Sequence, residues 1–348
     1  MFSKRLVEAL GGGIAIDLGT VNTLVAIRGR GIVLREPTVV AVNAGQRRDV
    51  LCVGNEAMQL LGRAPGGVNV CYPIRDGVIC DAPLCEAMLK HYIQRALGRK
   101  TGPLGVRLML CLPLCITDIE RRAILEAAKG AGARTVLLME EPIAAALGAG
   151  VSPQDMLGNM VVDIGGGTTD AAVLAMGGIA ANRSIRVGGT HIDEAIVEYM
   201  RREYELMIGS RTAEQVKLSL GRARVGGVEH CEIRGRSLKT GLPTSLIVSQ
   251  GEIGHAIVEP LRKIAQCVRE TLADTPPELA GDIYRRGVIL TGGGALLSGM
   301  DALLERDTGL SVRVAEDALD CVVLGALRAL NARDDIPDTL YADLTAEG

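Results

Sequence analysis

The chain has no tryptophan, one phenylalanine and six tyrosines, so aromatic residues are 2% of its 348 positions. With a formal net charge of -3, it lacks both the stacking rings and the basic face that a nucleic-acid surface needs, and no nucleic-acid partner is expected. The four histidines form no HExxH pair, and the nine cysteines never fall into a CxxC pair, Cys80/Cys85 and Cys111/Cys115 being the nearest neighbours. Cysteines so scattered read as small apolar side chains in a reduced, cytosolic setting. No apolar run approaches the roughly 18 residues of a membrane-spanning helix, and the N-terminus lacks the unbroken apolar stretch of a secretory signal. A GxxxxGK[ST] phosphate loop is missing, and no GxGxxG opens a helix after the first strand, which disfavours P-loop NTPases and dinucleotide-binding dehydrogenases.

What is present is a plan used twice. Residues 14–27 and 160–174 each read as an apolar strand, an Asp (Asp17, Asp163), a glycine turn with hydroxyl residues, and a second apolar strand. Glycine leaves backbone N–H groups uncovered, so such a turn can wrap an anion, and an Asp just before it suits a water-bridged Mg2+. Two such hairpins are expected to act as two jaws on one polyphosphate. A third glycine turn, Gly292, Gly293 and Gly294 before Ala295, follows an apolar strand and leaves room for a flat ring or a phosphate at a helix start.

Between and beyond the hairpins, strands and helices alternate as in a layered α/β domain. A small β-rich insertion follows the first hairpin, then a helix over 81–97 and a buried strand over 106–112. Thr117 is expected to cap a helix that runs from Asp118 to near Gly130, and strand 135–139 then leads into a helix opened by Pro142. The second half is expected to hold helices over 192–207, 212–221 and 252–273 and a polar strand region up to Val248.

Hydrolysis at such a site needs Mg2+ on the phosphates, donors to the developing charge, and a group that orients water. Glu141 is the best-placed acid, although a carboxylate in a first helical turn is also favoured by the helix dipole alone. Thr168 can offer its hydroxyl to the same water or to the terminal phosphate, or serve as an ordinary hairpin threonine. Glu214 and Lys217, three apart, share one helical face and either pair on the surface or line a nucleoside pocket. At the start of the chain, Phe2, Leu6, Val7 and Leu10 form an apolar stripe closed by three glycines. This is either a frayed end or an amphipathic helix that lies in a membrane interface.

Several segments together resemble the MreB family of rod-shape-determining bacterial actins: Asp17-Leu-Gly-Thr20, Leu61-Gly-Arg-Ala-Pro-Gly66, Asp76-Gly-Val-Ile79, Glu120-Arg-Arg122, Glu140-Glu-Pro142-Ile-Ala-Ala-Ala146, Val161-Val-Asp-Ile-Gly-Gly-Gly-Thr-Thr169, Pro276-Pro-Glu-Leu-Ala280 and Leu290-Thr-Gly-Gly-Gly-Ala-Leu-Leu297. The resemblance runs from about residue 14 to 325. It implies an α/β actin-like ATPase fold with a duplicated ribonuclease H-like core: two domains, each with a smaller subdomain, around a nucleotide cleft. The implied boundaries are an N-terminal amphipathic segment 1–12, domain I over 13–145 plus 315–348 with a β-rich subdomain at about 33–65, and domain II over 146–314 with a subdomain at about 182–248.

Carried onto this sequence, the resemblance implies that Thr20, Val21 and Asn22 with Gly165, Gly166 and Gly167 hold the phosphates of ATP. Glu214, Gln215, Val216 and Lys217 with Gly292, Gly293, Gly294 and Ala295 would surround the nucleoside, and Glu141 and Thr168 would position water. It further implies slow ATP hydrolysis, self-assembly into antiparallel double filaments, attachment to the inner face of the cell membrane, and partners in the cell-wall elongation complex. Asp170, where the family usually carries Glu, and Val21, where it usually carries Ala, depart from the pattern. A small-molecule kinase, a chaperone ATPase, or a scaffold that binds ATP without turnover is the alternative.

Overall fold

The computed structural model describes residues 13–45, 48–98, 105–224 and 226–331, and the backbone of Ala342–Asp343. The N-terminal segment with Phe2, Leu6, Val7 and Leu10 lies outside the described residues. Two compact units emerge, one holding the chain up to Gly158 with Leu174–Ala180 and the part from Leu319, the other Asn159–Val173 and Ala181–Ala318. No helix among the described residues is long and apolar enough to cross a membrane.

The first unit is built on a six-stranded sheet in the order Ala342–Asp343, Ala133–Glu140, Val106–Leu112, Gly13–Leu18, Asn22–Ile27, Gly31–Pro37. Gly13–Leu18 runs parallel to Val106–Leu112 and antiparallel to Asn22–Ile27, so the expected hairpin extends a parallel core. Val106–Leu112 is apolar at all but one position because helices cover both faces. On one side Ile14, Ile16, Leu108, Leu110, Val136 and Leu138 meet Met88, Tyr92, Ile93, Ile124 and Ala127. On the other, Cys111 Sγ lies 4.0 Å from the Val322 carbonyl on the helix Cys321–Asn331.

Local chemistry sets the helix ends. Asp81 caps Ala82–Leu97 by accepting from Leu84 N–H at 3.2 Å, and Gly98, at φ 66°, ends it. Thr117 and Glu120 form the reciprocal capping box of Asp118–Gly130. The β-rich insertion is a three-stranded sheet, Val50–Val53, Val40–Asn43, Val68–Cys71.

The second unit holds most of a five-stranded sheet in the order Gly178–Ile185, Thr169–Ala175, Asn159–Ile164, Val288–Thr291, Val312–Val314, and a three-stranded sheet Leu206–Met207, His230–Ser237, Pro243–Ser249. Three expectations are corrected here. The helix expected over 192–207 is Gly189–Tyr204, because Glu205 turns left-handed at φ 48° and Leu206–Met207 becomes a strand. The helix expected over 252–273 is two, Gln250–Ala256 and Val258–Ala273, because Pro260 has no N–H for the carbonyl of Ala256. The third glycine turn does not open an α-helix: Gly293–Leu296 is a 3-10 turn, and Met300–Thr308 starts only after Gly299, at φ 79°.

Candidate functional site

In the first unit, the turn after Asp17 is held from behind. The Thr38 hydroxyl donates to Gly19 O at 2.6 Å and Thr38 N–H to Val21 O at 2.8 Å. Gly77 N–H donates to Thr20 Oγ1 at 3.0 Å. A hydroxyl that accepts there still has its own O–H to donate, so Thr20 stays available to an oxygen ligand. Asp17 and Val21 are half-buried, while Asn22 is exposed at the start of its strand.

Glu141 begins the helix Glu141–Gly148 straight after the strand Ala133–Glu140, with Pro142 beside it in the first turn. It is only 7% exposed. It is therefore both a first-turn acid and a strand-end acid, and burial separates it from a solvated surface carboxylate. Its helix packs on Cys321–Asn331 with backbone against backbone: a Cβ on Gly148 would strike the Cys321 carbonyl, and one on Gly325 the Ala144 carbonyl. The Arg328 guanidinium closes the far end on the carbonyls of Leu147 and Gly148.

In the second unit the corresponding hairpin is more deeply set. Asp163 is buried and its Oδ1 accepts the Thr291 hydroxyl at 2.6 Å. Burial pushes the Asp163 carboxyl up to about 6, with the Thr291 hydrogen bond pulling the other way. Gly165 N–H closes the turn on Thr168 O at 2.9 Å. The carbonyls of the turn are taken by the next segment: Gly189 N–H reaches Gly165 O at 3.0 Å, and Thr190 reaches Gly166 O through its N–H at 2.8 Å and its hydroxyl at 2.9 Å. With those carbonyls engaged, the N–H edge of Gly166 and Gly167 is the edge suited to an anion. Gly188 must be glycine here, since a Cβ would lie 2.6 Å from Gly165 O and 2.7 Å from Gly166 O. Thr168 is buried.

The helix Ser210–Leu220 carries Glu214 and Lys217. They do not pair with each other. Lys217 Nζ donates to Asp193 Oδ2 at 2.9 Å and to Gly189 O at 3.1 Å, with 15% and 13% of the two charged side chains exposed. Burial raises the Asp193 carboxyl to about 6 against the pull of Lys217. One side chain thus joins the expected nucleoside helix to the segment that holds the glycine turn. Asp193 escapes a reading of the sequence because its partner lies 24 residues away on another helix. Glu214 is half-buried, Gln215 exposed and Val216 packed in the core.

Gly292, at φ 79°, passes so close to Ile164 O that no side chain fits, and its Cβ position lies 3.0 Å from Asp163 Oδ1. Gly294 is likewise pressed on the Ile164 side chain, and Ala295 is buried, whereas Gly293 is exposed. The structure thus brings Asp163, the glycine turn and Gly292 together, and it joins Lys217 to the turn through Gly189. A buried carboxylate with a hydroxyl on one oxygen suits a hydrated hard cation held through water.

The family model for MreB/Mbl protein matches residues 11–337 of this chain. The chain belongs to the MreB/Mbl family. The cell shape-determining protein MreB of Escherichia coli strain K12 is 47% identical over 334 residues, covering 95% of this chain and 96% of the relative. The cell shape-determining protein Mbl of Bacillus subtilis strain 168 is 45% identical over 327 residues, covering 93% and 97%. Among solved structures, ADP-bound MreB5 of Spiroplasma citri superposes with a TM-score of 0.86 at 36% identity, covering 92% of this chain and 97% of that one. The MamK double helical filament, at TM-score 0.75 and 21% identity with coverage of 92% and 98%, shares the fold. The fold is the actin-like ATPase fold of the MreB/Mbl family, and the kinase and chaperone alternatives are not favoured.

Proposed function

We propose that this chain is a cytoskeletal ATPase that binds ATP with Mg2+, assembles into actin-like filaments and determines rod cell shape by organising cell-wall elongation. The observation that carries the reading is the glycine turn of Gly165, Gly166 and Gly167, whose carbonyls are held from behind by Gly189 and Thr190, in a chain 47% identical to a cell shape-determining protein. A turn fixed in this way meets a phosphate without reorganising, which is the condition for electrostatic stabilisation of a charged transition state.

In this reading, Thr20, Val21 and Asn22 with the three glycines hold the phosphates, and Thr20 donates its free O–H. Glu214 to Lys217 and Gly292 to Ala295 form the nucleoside side, Lys217 acting through its grip on Gly189. Asp17 and Asp163 hold the hydrated cation, which when bound neutralises charge on the phosphates. Glu141 accepts a hydrogen bond from the attacking water and Thr168 orients the same water or the terminal phosphate. The subdivision into domain I, 13–145 with 315–348, and domain II, 146–314, each with its smaller subdomain, belongs to this proposal. So do antiparallel double filaments, a cytoplasmic position on the inner membrane face through Phe2, Leu6, Val7 and Leu10, and contacts with elongation-complex proteins.

The test is the full chain with ATP and Mg2+, examined by negative-stain microscopy and sedimentation. Filaments are expected, and strictly monomeric sedimentation at high concentration with membrane present would count against the reading. Glu141→Ala should keep nucleotide affinity while phosphate release falls at least about tenfold, and unchanged turnover removes Glu141 from the mechanism. Removal of residues 2–10 should abolish co-sedimentation with liposomes, and equal pelleting of the shortened chain would sink the anchor.

A further inference from the structure

A cavity of about 390 Å³ lies in the second unit and is lined by Arg222, Ala223, Arg224, Ser298, Leu303 and Arg306, among others. None of these residues belongs to the nucleotide site described above. The cavity is built rather than incidental, because its two walls are tied at the backbone. Arg222 and Ser298 form an isolated parallel bridge, and Ala223 N–H donates to Ser298 O at 2.8 Å. The guanidinium of Arg222 is fixed across the same seam on Ser298 Oγ at 2.6 Å.

Three guanidinium groups on one cavity need counter-charge, and the protein supplies little. Arg222 has Glu229 at 3.3 Å, a carboxylate side chain that is 55% exposed. Arg306 has Asp307 at 3.5 Å, but Asp307 is engaged by Arg269 at 2.6 Å. Among the described residues Arg224 has no ion-pair partner. The helix Met300–Thr308 also starts at this cavity from Gly299, without a side-chain cap, and adds the positive end of its dipole to the guanidinium field. Leu303 and Ala223, both buried, give the floor an apolar patch.

We propose that this cavity binds a phosphate-bearing anion, with Arg224 and Arg306 as its principal contacts and Arg222 as the fixed wall. Planar guanidinium forks match the paired oxygens of a phosphate, and the volume is that of a small-ligand pocket. The same chemistry is carried by a free phosphorylated metabolite and by the headgroup of an anionic phospholipid. An arginine cavity with an apolar floor accommodates either.

The experiment compares the full chain with an R224A/R306A variant of unchanged melting temperature, at fixed ionic strength. Calorimetric titration with pyrophosphate, on protein saturated with ADP so that the nucleotide site is filled, measures the free anion. Titration with a soluble short-chain phosphatidylglycerol below its micellar concentration, against the matching phosphatidylcholine, measures the headgroup without a vesicle surface for residues 2–10 to enter. Binding in either arm that weakens roughly tenfold in the variant, and returns in part with R224K/R306K, supports the proposal and names the source. Absence of binding in both arms, or binding that the variant retains in full, overturns it. ADP affinity is measured on both proteins, so a failure of the nucleotide reading shows itself separately.

Discussion

The two glycine hairpins share one sequence plan and differ in what stands behind them. Around Asp17 the turn is the more exposed: Asp17, Gly19, Thr20 and Val21 are half-buried and Asn22 is exposed, with the two Thr38 bonds to Gly19 O and Val21 O and the Gly77 N–H bond to Thr20 Oγ1 behind it. Around Asp163 the packing is closer, with Asp163, Gly167 and Thr168 buried and Gly165 and Gly166 half-buried. The carboxyl is buried on Thr291, two glycine carbonyls are engaged by Gly189 and Thr190, and a Lys217–Asp193 ion pair braces that support in turn. A shared motif therefore does not mean a shared rigidity. The first hairpin is the more exposed of the two, and the second is the more firmly braced, the fixed reference of the pair.

The comparison is broken or sharpened by substitution. The largest effect is expected at Gly188→Val, which forces a side chain onto Gly165 O and Gly166 O. Overpacking of this kind costs about 3 kcal/mol, and a shifted turn should also lose nucleotide affinity. Denaturant melts with ADP titration check both, and a variant that binds ADP normally would show that the turn is not the fixed reference.

Next comes a matched pair. Thr291→Val removes a hydrogen bond to a buried carboxyl and should cost about 2 kcal/mol, whereas Thr20→Val removes the acceptor of one half-buried N–H and should cost about 1 kcal/mol. Equal costs in urea melts would erase the asymmetry between the hairpins.

The smallest effect is a pH slope. The folded carboxyl of Asp193 lies at about 6, above its ordinary 3.8. A carboxyl raised on folding favours the folded state while protonated, so its contribution is full below 3.8 and is lost as pH rises through about 6. Asp193→Asn should remove this part of the slope, and superimposable pH profiles of melting temperature for the two proteins would exclude Asp193 as its source.

Much of this architecture is legible because its signals are local. Thr117 with Glu120, and Pro142 beside Glu141, announce helix starts within four residues, and the doubled Asp–glycine hairpin announces both sheets. The corrections mark where locality fails or competing signals were close. Pro260 breaks a helix whose apolar spacing runs on unbroken, and Gly292 and Gly299 spread a turn that glycine content alone cannot shape into either an α or a 3-10 start. Asp193 is beyond local reach altogether, since nothing near residue 193 indicates a lysine on the helix Ser210–Leu220. The support of a site is long-range even when the site's own motif is short.

The contact of Gly148 and Gly325 with facing carbonyls bears on motion as much as on packing. Most helix pairs meet through side chains whose rotamers can yield, and a push on one helix is partly absorbed before it reaches the other. Here there is nothing between the two backbones to yield. The helices Glu141–Gly148 and Cys321–Asn331 are therefore coupled directly at these two points, and a tilt of 321–331 presses on the backbone of the helix that begins with Glu141.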